Sequence, residues 1–140
     1  MDVDAITPVG QEHLDGVLDL FAGEWWSRHR TSDDVEHIIA GSTTVGLLEH
    51  GELVAFARAI SDRSQLAVVL DVIVRPSARS RGLGDRLMAE VLNLPEVRAV
   101  RSIELVCQPA LFEFYARHGF TSNVGDSTLM RRTSDPALRS

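Results

Sequence analysis

The chain contains no lysine. All 14 of its basic residues are arginine, set against 20 acids for a formal net charge of −6 over 140 residues. The missing lysine reflects coding composition more than physics, but it has one consequence for motifs, taken up below. Cysteine is nearly as scarce. Cys107 stands alone, which excludes a disulfide framework within the chain and suits a reducing compartment. No apolar run approaches the roughly 20 residues a membrane span needs. The N-terminal "MDVDAITPVG" is acidic and has no apolar core of the kind a secretory signal carries. These absences predict a cytoplasmic protein with no membrane contact. Tyrosine also occurs only once, as Tyr115.

What positive charge there is gathers in one place. Residues 75–86 hold Arg75, Arg79, Arg81 and Arg86 against Asp85 alone, while residues 1–24 carry six acids and no arginine. A nucleic-acid binder needs a broad positive face, so an acidic chain with one basic island argues against nucleic acid. It predicts a small polyanion at the island and a cationic partner elsewhere.

At 44% apolar residues, the chain has material for one ordinary core. "DAITPV" reads as a first strand, and "EHLDGVLDLFAGEWW" carries Leu14, Val17, Leu18 and Phe21 at helical spacing. "TSDDVEHIIAG" predicts a second helix, capped by Thr31 or Ser32 and stopped at Gly41. "TTVGLLEH" and "ELVAFARAIS" flank His50-Gly51 as a hairpin. "QLAVVLDVIV" reads as a strand buried on both faces. A helix from about Gly82 to Leu92, a strand "SIELVC", a short helix in "ALFEFYARHGF" and a last strand "STLMRR" complete the order β-α-α-β-β-β-α-β-α-β. The expectation is one α/β (α+β) domain over residues 1–133 with a loose tail at 134–140. Its strand–helix–strand units imply a parallel pair, and its hairpin adds antiparallel strands.

Between the buried strand and the helix lies Arg79-Ser80-Arg81-Gly82-Leu83-Gly84. A dinucleotide fingerprint would need a third glycine or alanine where Leu87 stands. A P-loop needs a lysine, and the chain has none. What remains is a glycine turn at a helix N-terminus with arginines around it, a combination that suits a pyrophosphate.

That R-x-x-G-x-G turn after "LDVIVRP", together with "FYARHGF" some 30 residues later, resembles the GNAT superfamily of N-acetyltransferases. The element order over nearly the whole chain is similar as well. The resemblance implies a mixed, mostly antiparallel sheet with a splayed parallel strand pair, flanked by about four helices. It implies acetyl-CoA as donor co-substrate, with the diphosphate held by backbone amides of Arg79, Ser80, Arg81, Gly82, Leu83 and Gly84. The backbone of Val72, Ile73 and Val74 would pair with the pantetheine arm. Gln108 stands where the family often has asparagine and would keep its amide contacts from a longer stem. Ser80 stands where the family often has glycine. Tyr115 would donate a proton or hydrogen bond to the CoA sulfur. Glu24, Trp25 and Trp26 fall where the family covers the acceptor.

Acetylating a lysine-like amine near neutral pH requires the neutral form, which lies about 4.6 kcal/mol uphill at pH 7. A base is therefore the larger need. Asp71, a carboxylate inside an apolar strand, is one candidate; the other role open to it is a structural acid paired with an arginine such as Arg58. Glu24 with Trp25 and Trp26 could cradle a cation, although tryptophans also serve as core. The histidines are scattered with no metal-ligand spacing, so no metal is expected. Cys107 reads as a small core residue without a base beside it, so transfer is expected to be direct, in a ternary complex. The acceptor is a primary amine on a small cationic molecule or a protein, and a homodimer stays open. Two other readings remain: a non-catalytic acyl-CoA-binding regulatory module, and a nucleotide-binding protein that uses the turn for ATP.

Overall fold

The computed structural model describes residues 2–139. The chain divides into two compact units, one through Leu105 and one from Val106 onward. The first contains a five-stranded sheet in the order β1 (Val3–Ile6), β2 (Thr43–Glu49), β3 (Glu52–Ser61), β4 (Leu66–Val74) and β5 (Ser102–Glu104). All neighbours are antiparallel except β4 and β5, which run parallel. The expected mixed sheet is therefore present.

The centre of this sheet needs cover on both sides. Five consecutive residues of β3, Leu53 to Ala57, are all buried, and a strand whose alternate side chains point to opposite faces can bury all five only between two layers. One layer is helix α1 (Leu14–Ala22), with α2 (Ser32–Gly41) packed against it. Val17, Leu20 and Phe21 of α1 and Val35 of α2 join Leu53, Phe56 and Ile73 in one core cluster, where the Phe21 and Phe56 rings meet edge-on at 5.7 Å. Helix α3 (Leu83–Leu92) buries Leu83, Leu87, Met88 and Val91 and packs on β2, β3 and β4. The four-residue α4 (Pro95–Arg98) follows it and buries Val97.

Helix ends follow local chemistry. At α2, Thr31 accepts from the Asp34 amide while the Asp34 carboxylate accepts from the Thr31 amide, so each satisfies one donor the helix leaves open. The periodic segment read through Trp26 stops at Ala22 instead. There the buried Ser27 hydroxyl donates to the Phe21 carbonyl at 2.8 Å and turns the chain back over the end of α1.

The second unit contains α5 (Phe112–Ala116), entered through a 3-10 turn over Pro109–Leu111, and a further 3-10 turn over Pro136–Leu138. Two expectations are corrected here. "STLMRR" is not a strand, and its Leu129 and Met130 are exposed. "SIELVC" contributes only Ser102–Glu104 to the sheet. The helices number five among the described residues, two of them of five residues or fewer, in keeping with the expected flanking set. Strand preference expresses fit to a pleated, half-buried surface, and a short apolar run carries no record of which backbone will lie beside it.

Candidate functional site

Strand β4 carries the first part of the site. Its parallel ladder with β5 runs only from Leu66 to Val68. From Val69 to Val74, no strand among the described residues pairs with that side. On the other side, β3 and β4 slip register. Phe56 faces Ile73 and Arg58 faces Leu70, so Asp71 and Val72 together oppose Ala57. This is a β-bulge, and Asp71 takes its left-handed conformation, with φ at +54°. Aspartate tolerates that region better than the valines around it.

The Asp71 side chain is 5% exposed, and its Oδ2 accepts twice: from Arg58 Nε at 2.6 Å and from Arg30 Nη1 at 2.8 Å. The Arg30 guanidinium also stands over the Phe21 ring at 4.5 Å and the Trp26 ring at 5.6 Å. One carboxylate thus ties the bulge of β4, its neighbour β3 and the segment between α1 and α2. The sequence foreshadowed Arg58 as a partner. It gave no warning of Arg30, 41 residues away, except that an arginine following paired tryptophans can stack.

The second part is the turn after β4. Pro76–Ala78 make a 3-10 turn, Arg79 is extended, Ser80 has φ +63° and Gly82 has φ +79°. Gly82 is the residue before α3, and no side chain caps that helix end. A Cβ at Gly82 would meet no atom within 4 Å, so glycine is there for the backbone angle. Ser80 adopts a similar angle without that freedom.

The arginines around the turn correct the picture of a bare basic island. Arg81 forms a two-pronged pair with Glu49, which holds the Glu49 carboxyl below its ordinary range. Arg86 donates to the Val3 carbonyl at 2.6 Å. Arg75 bonds the Leu53 carbonyl and lies near Glu52 and Asp19. Arg79 donates from Nε to the Val74 carbonyl at 3.0 Å, and its Nη2 lies 3.8 Å from Glu24. What a linear count reads as local surplus charge is largely matched by acids brought from β2, β3 and α1.

Between α1 and the end of β4 opens a cleft of about 290 Å³. Asp19, Leu20, Gly23 and Glu24 line one side, and Ile73, Arg75, Pro76 and Arg79 the other. Of the three residues expected at the acceptor, Glu24 lies on this cleft. Trp25 is exposed and Trp26 packs against the core cluster.

In the second unit, Gln108 is exposed and precedes the 3-10 turn, its carbonyl accepting from the Leu111 amide at 2.9 Å. Tyr115 is buried. Desolvation, with a smaller contribution from nearby Cys107, pushes its hydroxyl up to about 12. Phe114 and Phe120 meet its ring edge-on. Burial likewise raises the Cys107 thiol, which disfavours the thiolate a nucleophile would need.

No helix among the described residues is long and apolar enough to cross a membrane. The family model for the acetyltransferase (GNAT) family matches residues 14–120. A crystal structure of a GNAT-family protein from Xanthomonas campestris pv. campestris is 31% identical and superimposes with a TM-score of 0.81, covering 98% of this chain and 97% of that one. An uncharacterized N-acetyltransferase of Gracilaria tenuistipitata var. liui is 35% identical over 71 residues, 51% of this chain and 39% of its own length. The GCN5-related N-acetyltransferase 1, chloroplastic, of Arabidopsis thaliana is 39% identical over 70 residues, 50% of this chain and 36% of its own. The stretch shared with these two relatives is thus well under half of each of them. A sheet whose one parallel pair stops short, a glycine turn opening the following helix, and these matches lead to one conclusion: the chain belongs to the acetyltransferase (GNAT) family.

Proposed function

We propose that this chain moves the acetyl group of acetyl-CoA to a primary amine by direct transfer while both are bound. The family uses acetyl-CoA; the assignment of its contacts to particular residues is our reading. The observation that carries it is the junction of β4 and α3. There the unpaired side of Val72, Ile73 and Val74 runs into a turn with two left-handed residues, and no side chain caps the helix beyond. An amide-bearing pantetheine arm can pair with the strand as an added strand would. Amides of Arg79 to Gly84 would receive the diphosphate, helped by the helix dipole. When bound, acetyl-CoA supplies the activated thioester carbonyl.

The chain's own residues have separable tasks in this reading. Tyr115, whose hydroxyl stays protonated throughout the neutral range, is a donor toward the departing sulfur, and Gln108 contributes an amide contact. Asp71 serves as an anchor for the bulge and not as the base, because its Oδ2 is already engaged by two guanidiniums. Glu24 and Asp19 face the cleft and favour a cationic amine, and the exposed Trp25 follows Glu24 in the chain. The raised Cys107 thiol supports transfer without a covalent acetyl-enzyme. A lone cysteine suits the cytoplasm, where we place the protein.

Calorimetric titration of CoA into the wild type and Gly82→Pro tests the donor site. Proline cannot adopt φ +79°, so the variant is expected to lose uptake; uptake retained by that variant overturns the assignment. Thiol release from acetyl-CoA against a panel of amines tests the reaction. Tight CoA binding with no turnover on any amine would favour the regulatory module instead.

A further inference from the structure

The four arginines around the turn differ in how firmly they are held. Arg81 is gripped by both oxygens of Glu49, Arg86 by a backbone carbonyl at 2.6 Å, and Arg75 by a carbonyl at 3.0 Å with two carboxylates nearby. Arg79 alone combines a tether with a loose end. Its Nε is bound to the Val74 carbonyl, which keeps the guanidinium at the turn. Its Nη2 lies 3.8 Å from Glu24, beyond hydrogen-bond length, and the side chain is 51% exposed. Among the described residues, Arg79 is also the one cation within 4 Å of the Glu24 carboxylate. This pair crosses the cleft from the end of α1 to the turn, so both partners line the space that the two ligands would share.

We propose that Glu24 and Arg79 form an exchangeable ion pair that couples the two ligands. A diphosphate at the turn draws Arg79 away, and the released Glu24 becomes the counter-ion of the acceptor's ammonium. The proposal rests on the donor and acceptor sites proposed above. A screened pair without a hydrogen bond is weak, whereas a diphosphate offers a guanidinium a two-pronged contact and more than one negative charge. Before that exchange, Glu24 is neutralised and attracts an ammonium poorly. After it, Glu24 presents its carboxylate to the cleft beside Asp19, which Arg75 still faces at 3.6 Å, and Arg79 carries its charge to the diphosphate side. Coupling of this kind is reciprocal, so a bound cationic amine must also strengthen CoA binding.

Titrations of CoA into the wild type, Glu24→Gln, Arg79→Gln and the double variant test this, with pantetheine as the probe lacking a diphosphate. Glu24→Gln is expected to bind CoA about threefold more tightly than wild type, since the competing carboxylate is gone. Arg79→Gln is expected to abolish that gain, and pantetheine to show none. With spermidine as the cationic probe, saturating CoA is expected to lower its Kd about threefold or more in the wild type and leave it unchanged in Glu24→Gln. If the wild type binds CoA but Glu24→Gln binds it equally well, the pair does not compete and the proposal is wrong. Spermidine that CoA fails to strengthen, or strengthens as much in Glu24→Gln, overturns it too. A wild type that takes up no CoA at all overturns the donor site itself, a result readily told from the others.

Discussion

Two arginine–carboxylate contacts lie within eight residues of each other along the chain, and they are built differently. At Asp71 the carboxylate is 5% exposed, accepts from two guanidiniums at 2.6 and 2.8 Å, and one of those arginines is stacked over two aromatic rings. At Arg79 the pair with Glu24 is half-exposed and 3.8 Å long. The first contact holds the backbone of β4 in a bulge and binds three segments together. The second lets two segments face each other across open space. The same two residue chemistries thus serve as a fixed anchor in one place and as an exchangeable contact in the other, and burial decides which.

The widest predicted gap between them is in stability. Asp71→Ala leaves two part-buried guanidiniums without their carboxylate, so a loss at the lower end of about 3–5 kcal/mol is expected in urea unfolding. Asp71→Asn keeps the shape and is expected to lose less. The pH profile of kcat/KM for Asp71→Asn should keep its ascending limb; loss of that limb would return Asp71 to the role of base.

Next in size is Tyr115, the proposed proton donor. Tyr115→Phe is expected to lower kcat about a hundredfold while CoA still binds, measured by thiol release and calorimetry. Its raised hydroxyl also predicts an alkaline effect on stability. The folded protein holds this proton more tightly than the unfolded chain, so the contribution is complete below pH about 10 and disappears as pH rises toward about 12. Melting curves of Tyr115→Phe should lack that part of the alkaline decline.

Ser80 gives a smaller effect of opposite sign. Its φ of +63° strains a side-chain-bearing residue, and Ser80→Gly is expected to raise stability by about 0.4–1 kcal/mol, measured by thermal melting. Smallest is Glu24→Gln, whose unfolding free energy should stay within about 0.5 kcal/mol of wild type. A loss at Glu24 comparable to that at Asp71 would erase the distinction between anchor and exchangeable pair.

Much of the fold was readable because it rests on local signals. The Thr31 cap, the His50-Gly51 hairpin, the apolar face of α3 and the glycine turn before it all follow from residues within one or two turns of one another. The glycine turn was readable as a turn because glycine adopts a left-handed angle freely, as Gly82 does here at φ +79°. The last strand failed because "STLMRR" offers only two adjacent apolar residues and no local clue to a partner. The end of α1 was misplaced because Ser27 reaches back to Phe21, a contact no periodicity encodes. At the site, Asp71 was noticed for the right reason, an acid in an apolar strand. Whether it faced a substrate or an arginine depended on residues 13 and 41 positions away.

By itself, the sequence determined the order of the longer elements through α5, the sidedness of the helices and the place of the glycine turn, because backbone angles, caps and hydrophobic periodicity act over a few residues. Only the tertiary structure decided which charges are matched. It brought Glu49 to Arg81, Glu24 to Arg79, and Arg30 and Arg58 to Asp71. Coulomb attraction and desolvation depend on distance in space, and distance in space is what a linear chain does not specify until it has folded.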